Sequence, residues 1–232
     1  MKYLTVSLIA IICWATASAQ TYEIGLTAGG LNYTGDVGNT RYIAPNTVAV
    51  GGVFRWNRSR RHSYRASLLV GEIAADDDNS DEPLRKQRGY NFSGPLIEGS
   101  LGMEFTFWEF DMTRGFGLPG TPYLYTGVNV FYHHEFGASI ADNGAPILVD
   151  GGRNINFSIP ITLGYKKAIA QHWVLSAEIG ARYALADNLD GSVPAPTLGT
   201  TPFGNPNTND WYMYSGIIIS YTFGRRPCYC GF

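Results

Sequence analysis

The stretch that most limits what this chain can fold into is its last patterned run, Trp211-Tyr-Met-Tyr-Ser-Gly-Ile-Ile-Ile-Ser-Tyr-Thr-Phe223. Large and small side chains alternate along it and it ends in aromatics, the pattern of a strand that closes a membrane barrel. Seven further segments of period two precede it. Together they are roughly 22–33, 47–57, 63–74, 95–108, 122–132, 155–166, 172–184 and 211–223, each near the 9–11 residues a tilted strand needs to cross a bilayer. Glycine, proline, asparagine and aspartate collect between them. An even count with both termini at one end predicts an all-β fold over 20–223: an eight-stranded antiparallel up-and-down transmembrane β-barrel with a filled polar lumen.

Alternation alone does not say which face is inside, because a soluble barrel and a membrane barrel reverse it. Composition and the polar face decide. Charged residues make up 16% of the chain, against about 25% in ordinary globular proteins, and the lysines are only Lys2, Lys86, Lys166 and Lys167. In the fourth strand Ile97, Leu101, Met103, Phe105 and Phe107 oppose Glu98, Ser100, Gly102, Glu104 and Thr106. Small residues with isolated charges suit a crowded lumen, and eight strands enclose only enough room for side chains. The register points Glu23, Glu98, Glu104 and Glu178 inward together with Arg55, Arg65 and Arg182. This lumen charge network, four acids against three bases, reads as a plug rather than a pore. Aromatics gather at strand ends: Trp56, Tyr64, Phe107, Tyr165, Trp173 and Tyr221 at one rim, Tyr132, Tyr183 and Trp211 at the other, as in interfacial girdles.

The N-terminus reads as a cleaved signal peptide over 1–19: Lys2, an apolar run over 4–14 and Ala17-Ser18-Ala19 before Gln20. Its removal takes Lys2 and Cys13, leaving the 19 acidic residues against the 17 basic ones less Lys2. That balance indicates no nucleic-acid partner. Cys228 and Cys230 are then the remaining cysteines, in an oxidising compartment.

Long outward loops are expected at 34–46, 75–94, 133–154 and 185–210, with inward turns at 58–62, 109–121 and 167–171. The middle turn is long for its side, which marks it as a contact candidate. The acidic run Asp76-Asp77-Asp78-Asn79-Ser80-Asp81-Glu82 lacks the spacing and glycine of a calcium loop and reads as a solvated outward loop. His133 and His134 are neighbours on a strand, so their imidazoles diverge rather than chelate. No spacing assembles a catalytic trio or metal site, so the chain is read as a non-enzyme without a cofactor.

Nine residues follow the closing strand, Gly224-Arg-Arg-Pro-Cys-Tyr-Cys-Gly-Phe232. Arg225 and Arg226 suit lipid headgroups, where arginine stems snorkel. In an extended chain Cys228 and Cys230 bridge each other only with strain. That leaves a disulfide to another chain, a mutual pair or free thiols as readings.

Asn32-Tyr-Thr-Gly-Asp36, the acidic run at 76–80, Thr121-Pro-Tyr-Leu-Tyr-Thr-Gly127, Arg182-Tyr183 with Asp187-Asn-Leu-Asp-Gly191, and Asn209-Asp-Trp-Tyr-Met-Tyr-Ser-Gly216 occur in order. Over nearly the whole mature chain they resemble the PorG-like outer-membrane barrels of Bacteroidota, a component of the type IX secretion system. The resemblance implies a non-enzymatic anchor in the cell outer membrane for a periplasmic ring built from a lipoprotein and its partner protein. It places the 224–232 tail in the periplasm. A terminal cysteine after the last strand also looks like the family, which puts Cys228 or Cys230 in the position of interest. An anchor would contact the ring lipoprotein through the 109–121 turn and the tail, with Arg225, Arg226, Cys228, Tyr229 and Cys230 as the expected partner-binding residues and Cys228 or Cys230 in an intermolecular disulfide. Outer-membrane lipid surrounds the barrel. The alternative is an outward-facing binding or adhesin-type barrel that uses its long loops.

Overall fold

The computed structural model describes residues 21–112, 117–140, 146–186, 189–190, 192, 203 and 209–224. They form eight strands: β1 (Thr21–Thr34), β2 (Thr47–Asn57), β3 (His62–Asp76), β4 (Asn91–Thr106), β5 (Gly120–Ile140), β6 (Pro146–Ala168), β7 (Trp173–Ala184) and β8 (Trp211–Gly224). Each strand pairs antiparallel with its sequence neighbour, and β8 pairs back onto β1 from Thr21↔Gly224 to Thr34↔Trp211. The sheet is a closed barrel, which removes the open edges of a flat sheet around its circumference. Both described ends of the chain lie at one mouth, the terminal end; the opposite mouth is the distal end.

The polarity is inverted relative to a soluble protein. Ile24, Leu26, Val50, Leu68, Leu101, Val128, Phe157, Ile161, Leu163 and Ile217 are exposed around the outer wall, whereas Glu23, Arg55, Glu104, Lys166 and Glu178 are buried inside. Water as surrounding solvent would oppose both arrangements; a hydrocarbon layer favours both. Ring pairs mark the terminal rim: Trp56–Tyr64 and Trp173–Tyr221 at 5.4 Å, Tyr22–Phe54 and Tyr22–Phe223 at 5.9 Å. At the distal rim Tyr183 and Trp211 meet at 4.8 Å.

Two connections differ from the sequence reading. The expected loop at 133–154 is largely a strand extension, because β5 runs on to Ile140 and β6 begins at Pro146. The alternation survives there through a register shift between Glu135 and Phe136; such a bulge adds one residue and hides a hairpin from strict period-two counting. The connection at 75–94 is also ordered, with a short 3-10 turn at Asp77–Asn79 and helix α1 at Pro83–Arg88. Proline at the first turn and Gly89 at φ 70° beyond the last turn delimit α1, as its sequence alone would place them.

The barrel interior has two zones. Toward the distal end it is apolar, with Leu31, Phe92, Leu96, Phe131, Phe136 and Leu189 packed together. Phe92 sits 5.2 Å edge-on from Tyr33 and 5.2 Å from Phe136. Below this layer the lumen is polar.

Candidate functional site

The polar lumen is bridged from wall to wall. Arg65 on β3 donates from Nη1 and Nη2 to the two carboxylate oxygens of Glu178 on β7, at 2.7 and 2.9 Å. Strands three and seven stand on opposite sides of an eight-stranded barrel, so this bidentate pair spans the bore. Tyr212 on β8 donates to Glu98 on β4 at 2.7 Å, a second crossing between opposite strands. Arg182 Nε lies 3.5 Å from the same Glu98 carboxylate. Near the terminal end Glu104 receives Arg55 Nε at 2.9 Å and Lys166 Nζ at 2.6 Å, and Arg55 Nη1 reaches Glu23 at 3.3 Å.

All seven charged residues read as inward-facing are buried in the lumen. The sequence reading missed an eighth, Lys166, which brings the bases to four against four acids. Its signal was available: Tyr165 faces outward, so Lys166 has inward parity, but it sits at the strand end where arginine and lysine normally reach headgroups. The tyrosines that complete the network were also missed. Tyr123 donates to Glu178 at 2.8 Å, Tyr125 to Ser100 at 3.0 Å, and the Arg65 guanidinium lies 4.6 Å from the Tyr125 ring. A β-carbon on Gly164 would collide with the Tyr123 ring that covers it; glycine here is the space a lumen tyrosine occupies.

At the terminal mouth, residues 109–112 of the long connection between β4 and β5 lie against the barrel. Phe110 N donates to Arg60 O at 2.9 Å, and Lys166 Nζ lies 4.8 Å from the Phe110 ring. Arg60 meets Glu109 at 3.4 Å and Asp111 at 3.5 Å, and Thr222 donates to Met112 Sδ at 3.4 Å. The described part of this connection therefore folds against the barrel instead of standing clear of it.

At the distal end, motifs far apart in sequence meet. Tyr33 donates to Asp210 Oδ1. Asp36 N donates to Asp190 Oδ2 at 3.1 Å and Leu189 N to Asp210 Oδ2 at 3.0 Å. The acidic run is not simply a solvated loop. Asp77 is fully buried and accepts from Gly38 N at 2.8 Å, Tyr90 N at 3.0 Å and Arg88 Nε at 2.8 Å. A carboxylate this well supplied with donors is stable inside, which single-sequence charge counting has no means of seeing. Arg88 and Arg85 then donate to the carbonyls of Asp36 and Gly35, at 2.7 and 2.8 Å.

His133 and His134 diverge. His133 faces the interior between His134 O at 2.8 Å and Asn156 Nδ2 at 2.9 Å, while His134 meets Asp150 on the outer side at 2.9 Å. Among the described residues no three His, Cys, Asp or Glu side chains converge as metal ligands. Arg225, Arg226, Cys228, Tyr229 and Cys230 lie outside the described residues, as does the 1–19 segment.

A family model described as "Domain of unknown function (DUF6089)" matches residues 2–232. No curated protein matches the chain. Among solved structures, Neisserial surface protein A aligns over 87% of this chain and 97% of its own at 9% identity, with a TM-score of 0.50. OprG from Pseudomonas aeruginosa aligns over 89% and 97% at 10% identity and TM-score 0.46. The attachment invasion locus protein Ail of Yersinia pestis aligns over 88% and 99% at 8% identity and TM-score 0.46. At these identities the likeness concerns the fold: this chain is similar to a small outer-membrane barrel.

Proposed function

The chain belongs to the DUF6089 family, and from that premise we propose that it is a non-enzymatic anchor in the cell outer membrane for the periplasmic ring of a type IX secretion machine. A signal peptide over 1–19 delivers it, and the terminal end faces the periplasm. The observation that carries the reading is the bore crossed by Arg65–Glu178 and Tyr212–Glu98. A barrel closed in this way offers no route for solute, so its use lies at its two ends. β8 finishes at Gly224 beside Thr21, at the mouth where Phe110 and Met112 lie against the barrel. The reading assigns the residues that follow Gly224, with Arg225, Arg226, Cys228, Tyr229 and Cys230, to the periplasmic contact.

Pro227 stiffens the exit and removes a donor, favouring an extended segment. A disulfide from Cys228 or Cys230 to the ring lipoprotein makes durable a contact whose area is too small to hold by burial alone. The resemblance to PorG-like barrels supports the same partners. The test compares membranes of the wild type, the Cys228→Ser and Cys230→Ser variants, and a chain ending at residue 224, on non-reducing gels and by affinity recovery in detergent. A high-mass band that reduction removes, missing from one serine variant, together with loss of ring proteins on truncation, is the expected result. Full recovery of ring proteins by the truncated chain removes the tail from the function. It would favour the second reading, an outward binding barrel, in which trimming the distal loops is the harmful change.

A further inference from the structure

The 35–46 loop and the end of β3 with its 3-10 turn enclose a distal-rim cavity of about 380 Å³, which the anchor role leaves unused. We propose that this cavity is a carbohydrate site that takes the hydroxyls of a mono- or disaccharide. Its volume is at the low end of small-ligand pockets, about 300–1,000 Å³, but its lining is not the usual apolar one. Asn39, Asn46 and Asn79 contribute carboxamides, Arg41 a guanidinium and Asp76 a carboxylate, against the Tyr33 ring.

The cavity is built before a ligand arrives. Buried Asn32 donates to the carbonyls of Arg41 and Tyr42 at 3.3 and 3.1 Å and accepts from Ala44 N at 3.3 Å, which sets the path of the loop. The Tyr33 hydroxyl is held by Asp210. Such preorganisation lowers the ordering cost of binding. The rim groups keep spare hydrogen-bonding capacity. Asn46 donates from Nδ2 to Ala74 O at 2.9 Å, and Asn39 Oδ1 accepts from Arg41 N at 2.8 Å. The other amide atom of each has no partner among the described residues. Asp76 uses Oδ1 on Asp78 N at 2.9 Å, and Asn79 commits neither side-chain atom among the described residues.

Charge selects the ligand class. The lining carries one guanidinium and one carboxylate, and Arg41 is further offset by Asp81 at 3.4 Å, so no net positive field draws a phosphate. Donors and acceptors are both on offer. An anion would leave the acceptors facing it and a cation would leave the amide N–H groups facing it, whereas a hydroxyl donates and accepts at once. A ring bearing several hydroxyls satisfies the whole set. The same chemistry is presented by a free oligosaccharide and by the sugar headgroup of a membrane lipid.

The test uses the full-length barrel in nanodiscs, on a printed array of defined neutral and acidic oligosaccharides and, in a second arm, against lipopolysaccharide micelles. Asn79→Ala and Arg41→Gln should each weaken binding at least tenfold, and Lys86→Gln on the exposed face of α1 should leave it unchanged. Barrel integrity is read from the heat-dependent gel shift. Array binding assigns a free glycan, and binding confined to lipopolysaccharide assigns a lipid headgroup; either supports the site. Absence of binding in both arms, or binding that survives both substitutions, overturns it. Binding confined to sulfated or phosphorylated probes that vanishes at about 1 M salt, where charges are screened beyond about 3 Å, also overturns it.

Discussion

Replacing Glu104 by leucine should destabilise the barrel by about 3–5 kcal/mol, the usual cost of removing one partner from a buried ion pair. The figure follows from what the substitution strands. Glu104 is fully buried and holds Lys166 Nζ at 2.6 Å and Arg55 Nε at 2.9 Å, with Arg65 4.0 Å away. Arg55 retains Glu23 and Arg65 retains Glu178. Lys166 retains no other carboxylate within ion-pair distance among the described residues, only the Phe110 and Tyr123 rings at 4.8 and 5.7 Å. A cation over a ring recovers at most about 2 kcal/mol. The decisive comparison is Glu104→Leu with Lys166→Met, which removes both charges and should return stability to within about 1–2 kcal/mol of the wild type. Urea unfolding of the purified barrel in a defined bilayer, followed by tryptophan fluorescence, measures both. A single variant within about 1 kcal/mol of the wild type would mean that water hydrates the stranded ammonium. A plugged lumen would then be the wrong description. A double variant as unstable as the single one would show that the stranded lysine is not the source of the loss.

Asp77→Ala removes the common acceptor of Gly38 N, Tyr90 N and Arg88. Hydrogen bonds to a charged group contribute about 1.5–3 kcal/mol each, so amides of the distal cap should exchange more than about a hundredfold faster while those of β6 and β7 stay protected. Gly102→Val should prevent barrel closure, because a β-carbon there runs into the Thr126 carbonyl and the facing Gly127 backbone; loss of the heat-dependent gel shift reports it. His133 sits just past the apolar belt, and burial lowers its pKa below 6.5. The unfolded chain therefore takes up a proton that the folded chain resists. This contribution is complete above about pH 6.5 and is lost as pH falls below it. Unfolding midpoints should drop over that range, and His133→Gln should flatten the drop.

Much of the barrel was legible because its cause is local and repetitive. In Glu98, Ser100, Gly102, Glu104 and Thr106 against Ile97, Leu101, Met103 and Phe105, each residue declares its face by parity, and a bilayer leaves no other way to hide so much apolar surface. Parity failed where the repeat broke. The hairpin with its bulge after Glu135 carries strand residues 133–140 and 146–154 inside the expected loop, and Lys166 sits at a strand end, where inward parity and headgroup contact compete. Legibility ended at the cap. Tyr33, Asp36, Asp77, Asp190 and Asp210 each stood out as part of a quoted motif, but nothing in their spacing said that they meet.

Strand alternation was enough for the class of environment, the strand count and the side of the wall of residues within an unbroken repeat, because it is a property of one strand against one solvent. Closure of the sheet decided the rest. Only when β8 pairs with β1 do β3 and β7, or β4 and β8, come to face each other across a bore narrow enough for Arg65 to grip Glu178 and Tyr212 to reach Glu98. A bond between residues more than a hundred positions apart depends on barrel circumference and register. Those are set by all eight strands together, and no single segment encodes them.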